Sequence, residues 1–249
     1  MERASAIVFD IDDTLYDLSW PYRKAFAEVF ADRQDLPVSE LFKVSRVHSD
    51  KALELLTAGK ITPEDHKVLR VQWTLADYGV DVSRDEALRF QQAYARAQQL
   101  IQPYPEAIEM LQAVADAGVK MGALSNGDAA HQLGKVQLLG IDRWIDPAHI
   151  VISGDHGKNK PAVALFNEVS RRLGENGASV WYVGDTYETD VVGAKRAGWS
   201  CLWLDCRGRA VPDVQERPDL IVHTPAQMRD AVRELVGASF TRLPSEPAC

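Results

Sequence analysis

Short apolar runs punctuate the chain at Ala6–Phe9, Val119–Leu124, Ile150–Ile152, Val180–Val183, Cys201–Leu204 and Leu220–Val222. Runs this continuous fit strands buried on both faces of a parallel sheet. Helical patterns lie between them. Residues 105–118, PEAIEMLQAVADAG, open with Pro105 and stop at Gly118, the asymmetry of helix ends. Residues 161–174 and 189–198 are further helical stretches. Strand–helix alternation predicts an α/β fold, a doubly wound, Rossmann-like parallel sheet. Ligands of such sheets bind beyond the carboxyl ends of the strands. Several runs end there in polar or acidic clusters: DIDDT, SNGD, SGD and VGDT.

Residues 17–101 break the alternation and read as helices without strands. Thr62-Pro63-Glu64-Asp65 and Ser83-Arg84-Asp85-Glu86 are helix starts of the capping-box type, and Gly59 and Gly79 are stops. An α-helical domain is therefore expected at 17–101, inserted into a core made of 1–16 and 102–236. Val68, Trp73 and Tyr78 are expected to pack the helical core. Residues 237–249 are expected to form a disordered tail.

The chain has 249 residues, 46% hydrophobic and 26% charged, as in globular proteins. Its net charge of −8 argues against nucleic acid and anionic membrane as partners. A small anionic substrate is still admissible, because a metal or a lysine inverts the local field. Cys201, Cys206 and Cys249 lack the spacing of a disulfide framework or a zinc site. No apolar run approaches a membrane span, and the N-terminal segment is too short in apolar residues for a signal peptide. A cytoplasmic protein is expected.

The stretch FDIDDTLYDL crowds Asp10, Asp12, Asp13 and Asp17 behind an apolar run. Asp10 and Asp12 are two apart, so on a strand they point to one face. Two carboxylates side by side at a strand end can share a divalent cation. Mg2+ favours one or two protein carboxylates with water and phosphate oxygens. Asp185 and Asp190, in GDTYETD, could complete the ligand set. Asp13 and Asp17 are more simply read as helix N-caps. A calcium loop is excluded by Leu15 at the glycine position and Pro21 at the glutamate position. No GxxxxGK[ST] occurs, which excludes a P-loop NTPase.

DIDDT near the N-terminus, SN after the second core strand, a Lys-Pro pair and then GDTYETD resemble the motifs of the haloacid dehalogenase superfamily. The helical insert after the first motif resembles the cap domain of its phosphatase branch. The resemblance implies a Mg2+-dependent phosphomonoester hydrolase acting on a small phosphorylated metabolite through an aspartyl-phosphate. By resemblance, Asp10 is the nucleophile and Asp12 the general acid/base, whose backbone carbonyl also binds metal. Ser125 and Asn126 bind phosphate, as does Lys160; Thr14 follows the motif, and its hydroxyl also fits bracing of the loop. Lys160 is preferred over Lys158 because the family's lysine usually precedes a proline, here Pro161. Asp185 is a metal ligand, and Asp190 holds metal-bound water or Lys160. Glu188 and Thr189 read as the first turn of the next helix. A dehalogenase needs neither Asp12 nor the Asp185/Asp190 pair. A phosphomutase would use the same residues, and a binding protein on the same scaffold is the reading from a different class. Substrate choice is expected in the cap, with Tyr16, Trp20, Tyr22, Arg23, Arg46, His48 and Lys51 as candidates; packing or a solvated face is the favoured reading for these.

Overall fold

The computed structural model describes residues 3–206, 208 and 216–237. The six apolar runs form strands β1 (Ala6–Phe9), β2 (Lys120–Ser125), β3 (Ile150–Ile152), β4 (Val180–Gly184), β5 (Ser200–Leu204) and β6 (Leu220–Val222). They pair in the order β3-β2-β1-β4-β5-β6, every pair parallel. Phe9 therefore lies opposite both Ala123 and Val183. This register sets the end of β1 between the ends of β2 and β4.

The rule of strands buried on both faces fails at β6, whose Ile221 is 41% exposed. β6 is an edge strand with a neighbour on one side only. Inside, Val8, Leu124, Phe166, Tyr182, Trp199 and Trp203 belong to one buried cluster. The Phe166 ring meets Trp199 edge-on at 5.4 Å, a favoured aromatic geometry.

The chain divides into two compact units, Met1–Asp17 with Gln102–Cys249, and Leu18–Ile101. The second holds α1 (Trp20–Val29), α2 (Val38–Thr57), α3 (Pro63–Ala76) and α4 (Arg84–Gln98). Tyr22, Phe26, Phe42, Val68 and Phe90 are buried together in it. Trp73 and Tyr78 are only half-buried. Both expected capping boxes are formed, by Thr62 with Asp65 and by Ser83 with Glu86.

The first unit also carries α5 (Pro105–Asp116), α6 (Ala129–Leu139), α7 (Val163–Leu173), α8 (Val192–Arg196) and α9 (Pro225–Leu235). Two helix starts differ from expectation. Pro161 does not open α7, because a turn closed by the Ala162 N–H on the Asn159 carbonyl intervenes, and the Lys160–Pro161 peptide is cis. The 189–198 stretch begins as one wide turn, Tyr187–Val191, before the short α8. Glu188 and Thr189 lie in that turn. Cys201 is buried and Cys206 exposed, while Cys249 lies outside the described residues. Apart from Gly237, so does the expected tail.

The Asp65 carboxylate accepts from the Thr62 N–H at 3.1 Å and hydroxyl at 2.7 Å, and from Arg84 at 2.9 Å. The Thr62 hydrogen bonds, then Arg84, hold its carboxyl down at about 2. A depressed folded pKa contributes stability above the unfolded value, about 4, and that contribution is lost as pH falls through the folded value. Asp65→Asn should therefore lower the melting temperature at pH 7 and converge on wild type near pH 2. Circular-dichroism melts across that window check it; a gap that persists at low pH would refute it.

Candidate active site

Where β1 ends, the Asp10 N–H donates to the Val183 carbonyl at 2.9 Å. This bond carries the strand alignment one residue further and buries Asp10 to 4% exposure. The chain then curls rather than entering a helix. Asp13 takes a left-handed φ of 58°, and the Leu15 N–H returns to the Ile11 carbonyl at 3.1 Å. Asp13 and Asp17 are thus not N-caps. Helix α1 begins later, with Ser19 at its cap position. The Thr14 hydroxyl, fully buried, donates to Asp10 Oδ2 at 3.4 Å.

Lys160 reaches Asp10 from the segment before α7. Its Nζ donates to Asp10 Oδ1 at 2.5 Å, Asp190 Oδ1 at 2.7 Å and the Tyr182 hydroxyl at 2.9 Å. Tyr182 passes its own proton to the Leu124 carbonyl at 2.8 Å. Asn126 clamps the Lys160 backbone: its Oδ1 accepts the Lys160 N–H at 2.7 Å, and its Nδ2 donates to the Lys160 carbonyl at 3.3 Å. The Asn126 amide is therefore engaged with the lysine backbone through both its side-chain atoms. Lys158 is exposed.

Burial opposes charge on Lys160, yet Asp10 and Asp190 raise it well above the ordinary lysine range. Burial pushes the Asp10 carboxyl up to about 7 against the pull of Lys160, with Asp190 and Asp12 adding repulsion. Two buried acids thus share one ammonium.

β4 ends at Gly184, and the wide turn returns Asp190 beneath it. Asp190 Oδ2 accepts the Thr186 N–H at 2.9 Å. A Cβ on Gly184 would lie 2.4 Å from that same oxygen, so only glycine admits the carboxylate. Asp185 is half-buried and receives the Thr186 hydroxyl at 3.0 Å. Carboxylate oxygens of Asp10, Asp185 and Asp190 lie within 4.8 Å of one another. Three carboxylates against one ammonium leave an excess of negative charge in a buried place. That donor set, hard oxygens only, fits a divalent cation such as Mg2+.

The Asp12 side chain does not join this cluster. It receives Lys135 Nζ at 2.6 and 2.7 Å, Gln132 Nε2 at 3.0 Å and the Tyr16 hydroxyl at 2.5 Å. The expectation that the Asp10 and Asp12 carboxylates sit side by side on one cation is corrected: β1 ends at Phe9, strand alternation stops there, and Lys135 captures Asp12. Burial would raise the Asp12 carboxyl, but Lys135, with Tyr16 and Gln132, holds it below the usual range. Ser125 is the last residue of β2, 1% exposed, with no hydrogen-bond partner for its hydroxyl among the described residues.

Lys135, Gln132, Tyr182 and Tyr16, the last considered only for substrate choice, were not read as site partners from sequence. A signal exists for the first two. Gln132 and Lys135 are three apart on α6, and Lys135 interrupts an apolar helix face. The other residues considered for substrate choice lie in the helical unit, and several have ordinary duties. Arg23 donates to Ser19 at 2.7 Å, Trp20 carries Lys24, His48 pairs with Asp77 at 2.7 Å, and Lys51 sits over the Trp73 ring. Tyr22 and Arg46 line a cavity.

The Lys135–Asp12 pair is mostly buried, with side-chain exposures of 9% and 24%. Removing one partner of such a pair leaves an uncompensated charge, costing ~3–5 kcal/mol when fully buried. Lys135→Met should therefore cost about 2–4 kcal/mol in urea unfolding at pH 7. An unchanged midpoint would mean that the pair is not closed in solution.

The family model for haloacid dehalogenase-like hydrolases matches residues 4–198. A glyceraldehyde 3-phosphate phosphatase of Methanopyrus kandleri is 29% identical, over 92% of this chain and 97% of its own. Its namesake from Methanothermobacter thermautotrophicus is 30% identical, over 80% and 85%. Among solved structures, YfnB of Bacillus subtilis, a hydrolase bound to magnesium, superimposes with a TM-score of 0.65 at 22% identity, covering 93% of this chain and 99% of that one. The motifs, the sheet and these relatives agree, and the chain belongs to the haloacid dehalogenase-like hydrolase family, in its phosphatase branch.

Proposed function

We propose that this enzyme hydrolyses a small phosphorylated metabolite with Mg2+, through an aspartyl-phosphate on Asp10. The observation that carries the reading is the buried Asp10 carboxylate, held at 2.5 Å by Lys160 with Asp185 and Asp190 alongside. The curated phosphatase relatives support phosphate esters as the substrate class. Glyceraldehyde 3-phosphate is the first compound to test. YfnB, solved with magnesium, supports the metal.

In this mechanism an Asp10 oxygen attacks phosphorus, and the bond from phosphorus to the ester oxygen breaks. Asp12 gives its proton to the departing oxygen. Water then attacks the acyl-phosphate and loses a proton to Asp12, restoring Asp10 and releasing inorganic phosphate. The Lys135 pair favours ionised Asp12, the form that accepts the proton from water. An arriving phosphate dianion raises the Asp12 pKa by like-charge repulsion, favouring the form that donates. The Ser125 hydroxyl holds a phosphate oxygen, and Lys160 gives up one of its three hydrogen bonds to hold another, while Asn126 fixes Lys160 and Thr14 orients Asp10. Bound Mg2+, held by Asp10, Asp185 and the Asp12 carbonyl with Asp190 behind, would neutralise phosphate charge. Phosphoryl transfer needs this positioning and charge stabilisation above all.

Phosphate release from a panel of phosphomonoesters and a plain aryl phosphate, with Mg2+ and with EDTA, tests the reading. Mg2+-dependent release is expected, and Asp10→Asn should reduce it at least ~10³-fold with the circular-dichroism spectrum intact. Turnover by Asp10→Asn, or indifference to EDTA, would overturn the mechanism. Lys160→Met should cost on the order of 10²-fold or more, and Lys158→Met about twofold at most. The reverse order would assign phosphate to Lys158.

A further inference from the structure

Within the helical unit, between α2, α3 and α4, lies a small cavity that opens to solvent. Its lining includes Tyr22, Arg46, Ser49, Arg70, Gln91 and Tyr94, and among the described residues no acidic one. Arg70 stands on α3 and is half-buried. One of its guanidinium nitrogens donates to Gln91 Oε1, and the group lies 5.7 Å from the centre of the Tyr94 ring. A guanidinium carries five N–H donors in a rigid fork. Gln91 accepts one, and the rest meet no acceptor among the described residues. The Gln91 amide nitrogen, on a residue 8% exposed, has no hydrogen-bond partner among the described residues either.

Arg46 brings a second guanidinium from α2, near enough to depress the Arg70 pKa, to which burial contributes most. Neither arginine has a carboxylate partner among the described residues. Elsewhere in this unit Arg33, Arg84 and Arg96 pair with Glu86, Glu64 and Glu28. Arg46 is exposed and Arg70 half-buried, and two like charges at one cavity repel unless an anion joins them. Gln91 and Tyr94 hold the Arg70 fork in place before any ligand arrives, which lowers the ordering cost of binding.

We propose that this cavity is a binding site for a small oxyanion, a carboxylate or phosphate group on a metabolite, received by Arg70 with Arg46 and the Gln91 amide. The group can belong to the enzyme's own substrate, beyond its scissile phosphate, or to a separate ligand. The substrate alternative rests on the phosphatase reading, whereas the binding itself does not.

The test begins with NMR of the wild-type protein, following the Arg70 Nε–H and Gln91 side-chain amide resonances. Sodium phosphate and sodium malonate are titrated, with sodium chloride at matched ionic strength as control. Saturable shifts with either oxyanion and none with chloride are expected. Arg70→Met should abolish the Gln91 shift, and Arg70→Lys, which keeps the charge, should weaken it; Arg70→Lys carries the test if Arg70→Met fails to fold. No saturable shift up to about 50 mM, an affinity too weak to serve a metabolite, would overturn the proposal.

Kinetics then separate the two sources. A rise of about tenfold in KM on Arg70→Met for a carboxylated aryl phosphate, with the plain aryl phosphate unchanged, assigns the anion to the substrate. Unchanged KM for both, with the Gln91 shift lost, assigns it to a separate ligand. If no phosphomonoester is hydrolysed at all, the functional reading fails, and the NMR result still decides the cavity.

Discussion

One buried ammonium serves two buried carboxylates, and much of the core unit is arranged around that fact. Charges taken out of water are expensive, and their attraction offsets the cost only with close geometry and further hydrogen bonds. Lys160 has both. Its Nζ has three acceptors, its peptide is clamped by Asn126, and Tyr182 ties it through Leu124 to β2. The bare Cα of Gly184 gives Asp190 its place. Asp10, Asn126 and Gly184 sit where parallel strands end, so the sheet register and the charge cluster depend on each other.

The two acids of the first motif are separated by environment rather than by sequence distance. Asp10 is surrounded by further acids, and burial raises its pKa. Asp12, two residues on, has a lysine of its own and is held low. Neighbouring carboxyls driven apart in this way are a recurring feature of acid–base sites. Here the separation rests on a curled loop after β1, which turns Asp12 toward α6 while Asp10 stays with β4.

The strand ends could be read directly, because apolar runs stopped by acids are a local pattern. The helical insert was equally open to reading: Thr62, Ser83, Gly59 and Gly79 mark helix ends by chemistry that acts within a few residues. What stayed hidden is long-range or geometric. AAHQLGKVQLLG shows a lysine on an apolar helix face, but not that its partner is a carboxylate 123 residues earlier. The run LIV does not reveal that β6 is an edge, since edge position belongs to the sheet and not to the strand. Pro161 carries the usual signal of a helix start, but a turn holds α7 back to Val163.

The central position of β1 has a consequence for synthesis. Its partners are β2 and β4, and β4 ends about 175 residues after Phe9. At roughly 5–20 residues per second, a ribosome takes roughly 10–35 s to supply that last neighbour. Until β4 emerges, the apolar segment Ala6–Phe9 can gain its β2 neighbour but lacks the other. The helical unit is one contiguous stretch, Leu18–Ile101, and all of it is made before β2, β3 and β4. Asp10 is made before every group that later surrounds it, and the newborn chain must keep this apolar segment from aggregating until β4 emerges.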